Sequence, residues 1–267
     1  MGRRCADILP VLWLKLTPPI GIADYHSSLL LYRFGIIDGL RFARLLNQLT
    51  SGYYTSPARN LSLEEAGRIA WTSGDPHAQR LPYLRGNMYF HVLRSQLANS
   101  TTSTASLDDL VIEMVRRRMS PDNKLWDIEA WHELLGDQLG EEVERQSFAA
   151  MSSGKWLIIP PADALGPCFT VTREDQFVYE RGFTSKENVV TDLVPGSRAE
   201  LAGLRNGDVL IPRKYTTTTL DNYRENVTLR VQHQGGSSYS DIEYWPRGWE
   251  KVESWQWVYL GGNECRA

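Results

Sequence analysis

Five groups of side chains in this sequence have types that chemistry could use. His132-Glu133-Leu134-Leu135-Gly136 opens like the zinc-hydrolase helix His-Glu-x-x-His. In that helix two histidines one turn apart bind the metal and the glutamate acts as base. Glycine stands where the second histidine must be, so the segment reads as a helix-surface pair. Asp24, Tyr25 and His26 form a polar cluster at a helix start, where Asp24 and His26 would make an acid/base pair. Residues two apart point to different sides of a helix, which argues against that pairing. Tyr83 and Arg85 are the candidate catalytic residues, because a phenol can stabilise an oxyanion and a guanidinium can bind a carboxylate. His77 and His91 stand isolated, and a solvent-facing or internally satisfied role is expected of each. Cys5, Cys168 and Cys265 lie far apart with no Cys-x-x-Cys spacing, which supports neither a cysteine zinc site nor a dithiol redox motif. Their odd, sparse number fits a reducing compartment, and a cytoplasmic location is the expectation.

The elements that must position these residues follow from apolar periodicity and caps. Pro18-Pro19 separates an opening segment from a helix over 22–34, with Gly35 as its stop. Asp38 caps a helix carrying Leu40, Phe42, Leu45, Leu46 and Leu49. Ser62-Leu63-Glu64-Glu65 and Ser106-Leu107-Asp108-Asp109 are capping boxes. Residues 72–79 read as an exposed loop, and Pro82 opens a helix from Tyr83 to about Leu97. Trp126 to Leu139 and Glu141 to Met151 complete six or seven helices. After Gly154, Pro160-Pro161 and Gly166-Pro167 mark a domain edge. Short β-rich runs follow at 169–172, 177–179, 189–190, 209–211, 227–231 and 255–259, separated by Gly, Asn and Ser turns. The fold class is α+β, a helical part followed by a β part.

The chain has 267 residues, 42% hydrophobic and 23% charged, with a net charge of −3. No field results that would recruit nucleic acid or an anionic membrane, and neither is expected as a partner. Met1-Gly2-Arg3-Arg4 followed by Ile8 to Leu14 looks like a short export signal. Asp7 precedes the apolar run, Lys15 ends it and no small-residue cleavage site follows, so a working signal is not expected. No stretch is long enough to span a membrane.

The most specific stretch is Val189 to Ile211. A strand at Val189-Val190-Thr191 leads through Pro195-Gly196-Ser197 into Ala199-Glu200-Leu201-Ala202-Gly203-Leu204 and then Gly207-Asp208-Val209. Pro195 and Gly196 make a turn, Ser197 caps a short helix from Arg198, and Gly203 ends it with positive φ. This resembles the PDZ domains associated with proteases. The resemblance implies peptide or protein C-terminus binding by strand addition at Val189, Val190 and Thr191. The aromatic group Tyr244, Trp245, Trp249, Trp255, Trp257 and Tyr259 could line a ligand surface, but packing onto the helical part explains it more simply.

Before this stretch, Gly21-Ile22-Ala23-Asp24-Tyr25-His26, Leu81-Pro82-Tyr83-Leu84-Arg85-Gly86 and Ser106-Leu107-Asp108-Asp109-Leu110 occur in one order. Together they resemble the glycyl aminopeptidase family of PDZ-containing zinc metallopeptidases, from about Gly21 to Tyr259. The resemblance implies the C-terminal part of a thermolysin-like catalytic domain over 21–160, behind an irregular segment 1–20, and a PDZ-like domain over 166–260. It also implies zinc, but the chain departs from the pattern there. No His-Glu-x-x-His occurs, and Ile20 stands where the third-ligand glutamate belongs. No cofactor and no metal-binding residues are therefore expected. The leading expectation is a truncated or degenerate metallopeptidase homologue without proteolytic activity, acting through PDZ-like contacts. One alternative is an active zinc aminopeptidase completed by a missing N-terminal region or partner. Another is a metal-independent enzyme reusing the remaining cleft. A homo-oligomer is expected if the helical part exposes an apolar face.

Overall fold

The computed structural model describes residues 21–119, 128–211, 220–236, 238–262 and 265. The signal-like start, Cys5, Ile20 and Trp126 lie outside them. The chain divides into two compact units. One gathers the described residues up to Thr50, Ala58–Thr172 and those from Trp255 on; the other holds Ser51–Pro57 and Arg173–Ser254.

The first unit is helical. Its elements are α1 (residues 21–33), α2 (Gly39–Tyr54, whose last turn counts with the other unit), α3 (Leu63–Ser73), α4 (Pro76–Asn99), α5 (Leu107–Met119), α6 (Ile128–Leu139) and α7 (Glu141–Ser153). The caps seat these helices where local chemistry places them. The Asp38 carboxylate accepts the Arg41 N–H at 2.7 Å. Ser62 Oγ accepts the Glu65 N–H at 3.1 Å, while Glu65 accepts the Ser62 N–H at 2.8 Å. Such a cap contributes about 1 kcal/mol. Ser106 and Asp109 exchange the same two bonds at the start of α5, at 3.3 and 2.9 Å.

Helix α4 differs from expectation. It starts at Pro76, with Asp75 accepting the Ala78 N–H at 2.8 Å, and it carries Pro82 in its interior. Two proline-based starts compete here, and the one backed by an aspartate cap prevails. α4 is buried nearly all round, against α3, α5, α6 and α7. Buried on nearly every side, α4 is the central member of this bundle even though Arg85, Asn87, His91 and Ser95 are among its buried residues. Phe90 meets Trp131 edge-on at 5.7 Å, and Tyr25 at 5.9 Å.

Two strands complete this unit: β1 (Phe169–Arg173) pairs with β9 (Trp255–Tyr259). Asn47 donates to the Trp257 carbonyl at 2.9 Å and accepts its N–H at 2.7 Å, which fixes β9 to α2. Cys168 and Cys265 form a disulfide beside the strand pair. The sequence spacing pointed to no such pair, because a separation of 97 residues hides a pairing that only the fold creates.

The second unit is built of strands. Strands β3 (Thr184–Lys186), β4 (Val189–Thr191), β5 (Val209–Ile211), β6 (Val227–Gln232) and β7 (Tyr239–Tyr244) form an antiparallel sheet in that order. Strands β2 (Gln176–Tyr179) and β8 (Arg247–Val252) pair separately. The short helix α8 (Arg198–Leu201) stands between β4 and β5, with Ser197 accepting the Glu200 N–H at 3.3 Å. Gly203 follows at φ +102°, a conformation that side chains resist. The core of this unit is Phe183, Val190, Ala199, Leu204, Leu229, Val231, Ile242 and Tyr244. The architecture is α+β, helices followed by a β part. Strands β3, β7 and β8 went unexpected, because their sequences Thr-Ser-Lys, Tyr-Ser-Asp-Ile-Glu-Tyr and Arg-Gly-Trp-Glu-Lys-Val lack an apolar run.

Candidate functional site

Two of the short motifs meet through their glycines. A Cβ on Gly21 would lie 2.4 Å from the Gly86 Cα, so α1 crosses α4 at backbone contact and only glycine fits. This brings residues 24–26 beside the middle of α4, but it does not make an Asp24–His26 pair. Asp24 reaches Arg80 at 3.7 Å, and Arg80 in turn lies over the Tyr83 ring at 5.2 Å. His26 turns the other way, Nδ1 to the Ile22 carbonyl at 3.1 Å and Nε2 to Asp108 at 3.2 Å. Asp108 also accepts from Arg33 at 2.5 Å. Partial burial pushes the Asp108 carboxyl up, but Arg33 and then His26 outweigh it, and the net shift is downward.

Tyr83 and Arg85 face different surroundings. Tyr83 is half-buried under Arg80. Arg85 is fully buried and donates to the Arg59 carbonyl and, at 3.5 Å, to the Met151 carbonyl. There it ties α4 to the end of α7 and to the segment before α3. No signal in the sequence distinguishes such a clamp from a carboxylate binder.

One residue on α4 was underestimated. His91 is buried, its ring edge-on to Tyr25 at 4.9 Å and 5.1 Å from Trp257. Neither ring nitrogen has a hydrogen-bond partner among the described residues. Burial, and then the nearby Arg94, push its pKa down to about 3. His77 is half-buried in the first turn of the same helix.

His132 and Glu133 do not act as a metal pair. His132 Nδ1 hydrogen-bonds Glu144, and Glu133 pairs with Arg117 at 3.5 Å. Among the described residues no three His, Cys, Asp or Glu side chains converge to hold a metal. The donor set that the family resemblance implies for zinc is not met by these residues.

In the β unit, Val189, Val190 and Thr191 form β4, which is hydrogen-bonded along both edges. β3 pairs with it from Thr184↔Thr191 to Lys186↔Val189, and on the other side Val190 bonds the backbone of Gly207 and Asp208. An added strand therefore has no free edge at β4; the outer strands of this sheet are β3 and β7. Of the aromatic group, Tyr244 is buried and donates to the Arg181 carbonyl at 2.8 Å, and Trp245 donates to the Tyr223 carbonyl at 2.6 Å. Trp249 is 58% exposed and stacks with Arg198 at 4.1 Å. Trp255, Trp257 and Tyr259 belong to the helical unit, where Tyr259 leaves Gly39 no room for a Cβ.

No family model and no curated protein matches this chain. A solved structure does: the crystal structure of an aminopeptidase N family protein from Idiomarina loihiensis aligns with a TM-score of 0.56 at 16% identity. The match covers 94% of this chain and 48% of that one, so this chain spans about half the length of that protein. The two share a fold over that length. No helix among the described residues is long and apolar enough to cross a membrane.

Proposed function

We propose that this chain is an aminopeptidase-like homologue that does not carry out zinc-dependent hydrolysis itself and that acts by binding peptide or protein through a PDZ-like β unit. The observation that carries the reading is the pairing of a shared peptidase fold over 94% of the chain with a sequence that lacks His-Glu-x-x-His. Helix α8, capped by Ser197 and closed by Gly203 between β4 and β5, supports the PDZ-like and glycyl aminopeptidase resemblance. A bound peptide would extend the sheet at β3 or β7, since β4 is enclosed. The Cys168–Cys265 bridge favours an oxidising compartment over the cytoplasm. The test is zinc content of the purified chain together with hydrolysis of glycyl and alanyl nitroanilides. The expected result is no stoichiometric zinc and no turnover. One tightly bound zinc with chelator-sensitive turnover overturns the reading.

A second reading, an enzyme completed by a further region or a second chain, draws support from the α1–α2 junction. There Phe34, Ile36 and Leu40 are 77%, 68% and 55% exposed, an apolar surface that a further body would cover. A clean monomer by light scattering, unchanged in Phe34→Ser, would count against this reading.

A further inference from the structure

A cavity of about 370 Å³ opens in the helical unit, where the ends of α1 and α4 meet the loop leading into α5. Its wall includes Arg33, Arg94, Leu97, Ala98, Thr104 and Asp108. The volume suits a molecule of amino-acid to dipeptide size.

The charges on this wall are unbalanced. Asp108 has both carboxylate oxygens engaged, Oδ1 with His26 at 3.2 Å and Oδ2 with Arg33 at 2.5 Å. Arg94, half-buried on the same wall, pairs with no carboxylate among the described residues. Among the described residues its one hydrogen bond is Nη1 to the Tyr25 hydroxyl at 3.2 Å. Tyr25 is itself 1% exposed and wedged against His26, Phe90 and His91, so the phenol acts as a fixed post for the guanidinium. A guanidinium held on one side by a phenol keeps donors free for a planar, two-oxygen acceptor. Two guanidiniums face a single carboxylate that is already satisfied, so the cavity carries a surplus positive charge. Leu97, Ala98, Ala105 and Leu107 supply the apolar part of the wall.

We propose that this cavity binds a small aliphatic carboxylate, with Arg94 as the bidentate anchor, Tyr25 as its positioning residue, and Leu97 and Ala98 beside the aliphatic body. The proposal goes beyond the aminopeptidase-like reading: Tyr25 and Asp108 lie in motifs that carry that resemblance, but carboxylate binding here needs neither a zinc site nor the β unit. Two sources offer this chemistry: a free short-chain or amino acid, and the C-terminus of a peptide.

The experiment is calorimetric titration of the full chain with N-acetyl-L-alanine, its neutral amide, trialanine and inorganic phosphate. N-acetyl-L-alanine is expected to bind and the amide to bind at least tenfold more weakly. Trialanine binding more tightly than N-acetyl-L-alanine assigns the site to peptide C-termini; equal binding assigns it to free acids. Arg94→Gln is expected to remove binding and Arg94→Lys to weaken it about tenfold, since an ammonium cannot hold two oxygens in a plane. Ala98→Phe, at an exposed position that leaves Arg94 intact, should block the cavity with no change in thermal midpoint. Equal binding of acid and amide, tighter binding of phosphate, no binding of any of them, or full binding by a folded Arg94→Gln protein overturns the proposal.

Discussion

The two units set buried arginine among different neighbours. In the helical unit Arg85 sits at 0% exposure and spends its donors on backbone carbonyls of Arg59 and Met151. In the β unit Arg247, also at 0%, likewise donates to backbone carbonyls, those of Pro246 and Asn222, but it also lies against the rings of Tyr179 and Tyr223 at 5.1 and 5.3 Å, and burial lowers its pKa to about 10. Arg198 repeats this arrangement, donating to the Arg247 carbonyl at 3.0 Å and lying over Trp245 and Trp249 at 5.0 and 4.1 Å. A helical bundle leaves carbonyls unpaired at its helix ends and joints, and an arginine can close them. A small sheet has few such ends, but its aromatic faces need cover, and a guanidinium can supply it. The same residue type therefore bridges backbone carbonyls in both units and, in the β unit, covers aromatic faces as well.

The sharpest way to break this contrast is to remove the covalent tie of the helical unit. Replacing Cys168 and Cys265 by alanine should cost about 4–5 kcal/mol, from the entropy of a loop of nearly a hundred residues. Segment-resolved hydrogen exchange should show the loss in α2, β1 and β9 and little change in β3 to β7. Uniform loosening of both units would mean that the division into units has no energetic counterpart.

Next in size is Arg85→Met, expected to cost about 3 kcal/mol because the Arg59 and Met151 carbonyls lose a buried donor. Urea denaturation measures it, and a cost under 1 kcal/mol would show that the guanidinium is not the clamp.

Acid sharpens the comparison through His91. Its folded pKa is held near 3 against an ordinary value of 6.5, so between these limits the unfolded chain binds a proton that the folded chain refuses. Stability is full above pH 6.5 and falls below it, by roughly 1 kcal/mol per pH unit from that residue. A His91→Phe protein should lose less stability between pH 6 and pH 4 than the parent. Equal loss in both would place the acid sensitivity elsewhere.

The smallest effect belongs to the β unit. Ser197→Ala removes the cap of α8 and should cost about 1 kcal/mol. Exchange should rise in residues 198–204 and nowhere in the helical unit.

What could be read in the sequence was whatever a few neighbouring residues decide. Ser62 with Glu65, Ser106 with Asp109, Ser197 with its helix and Gly203 with its positive φ were all legible, because each partner lies within a few positions. Interactions that cross the fold were not. Helical spacing already spoke against an Asp24–His26 pair, but nothing near His26 pointed to Asp108, 82 positions away. Strand β8 hid behind Arg247, whose burial depends on Tyr179 and Tyr223. Strand β4 was recognisable, but its two occupied edges depend on β3 and on the turn at Gly207-Asp208. The candidate site shows the same division. Tyr83 and Arg85 stood out by type, while Arg94 became notable only once Tyr25 was seen to hold it without a carboxylate.

The disulfide also sets a timetable for synthesis. Cys168 leaves the ribosome 97 residues ahead of Cys265, an interval of about 5–20 s at ordinary elongation rates. During it the strands of the β unit emerge and can fold, while β1 waits for β9. Throughout that wait the other thiol already made in this sequence is Cys5. Until Cys265 emerges, the Cys168 thiol has no native partner, and β1 stays untied to the strand that will pair with it.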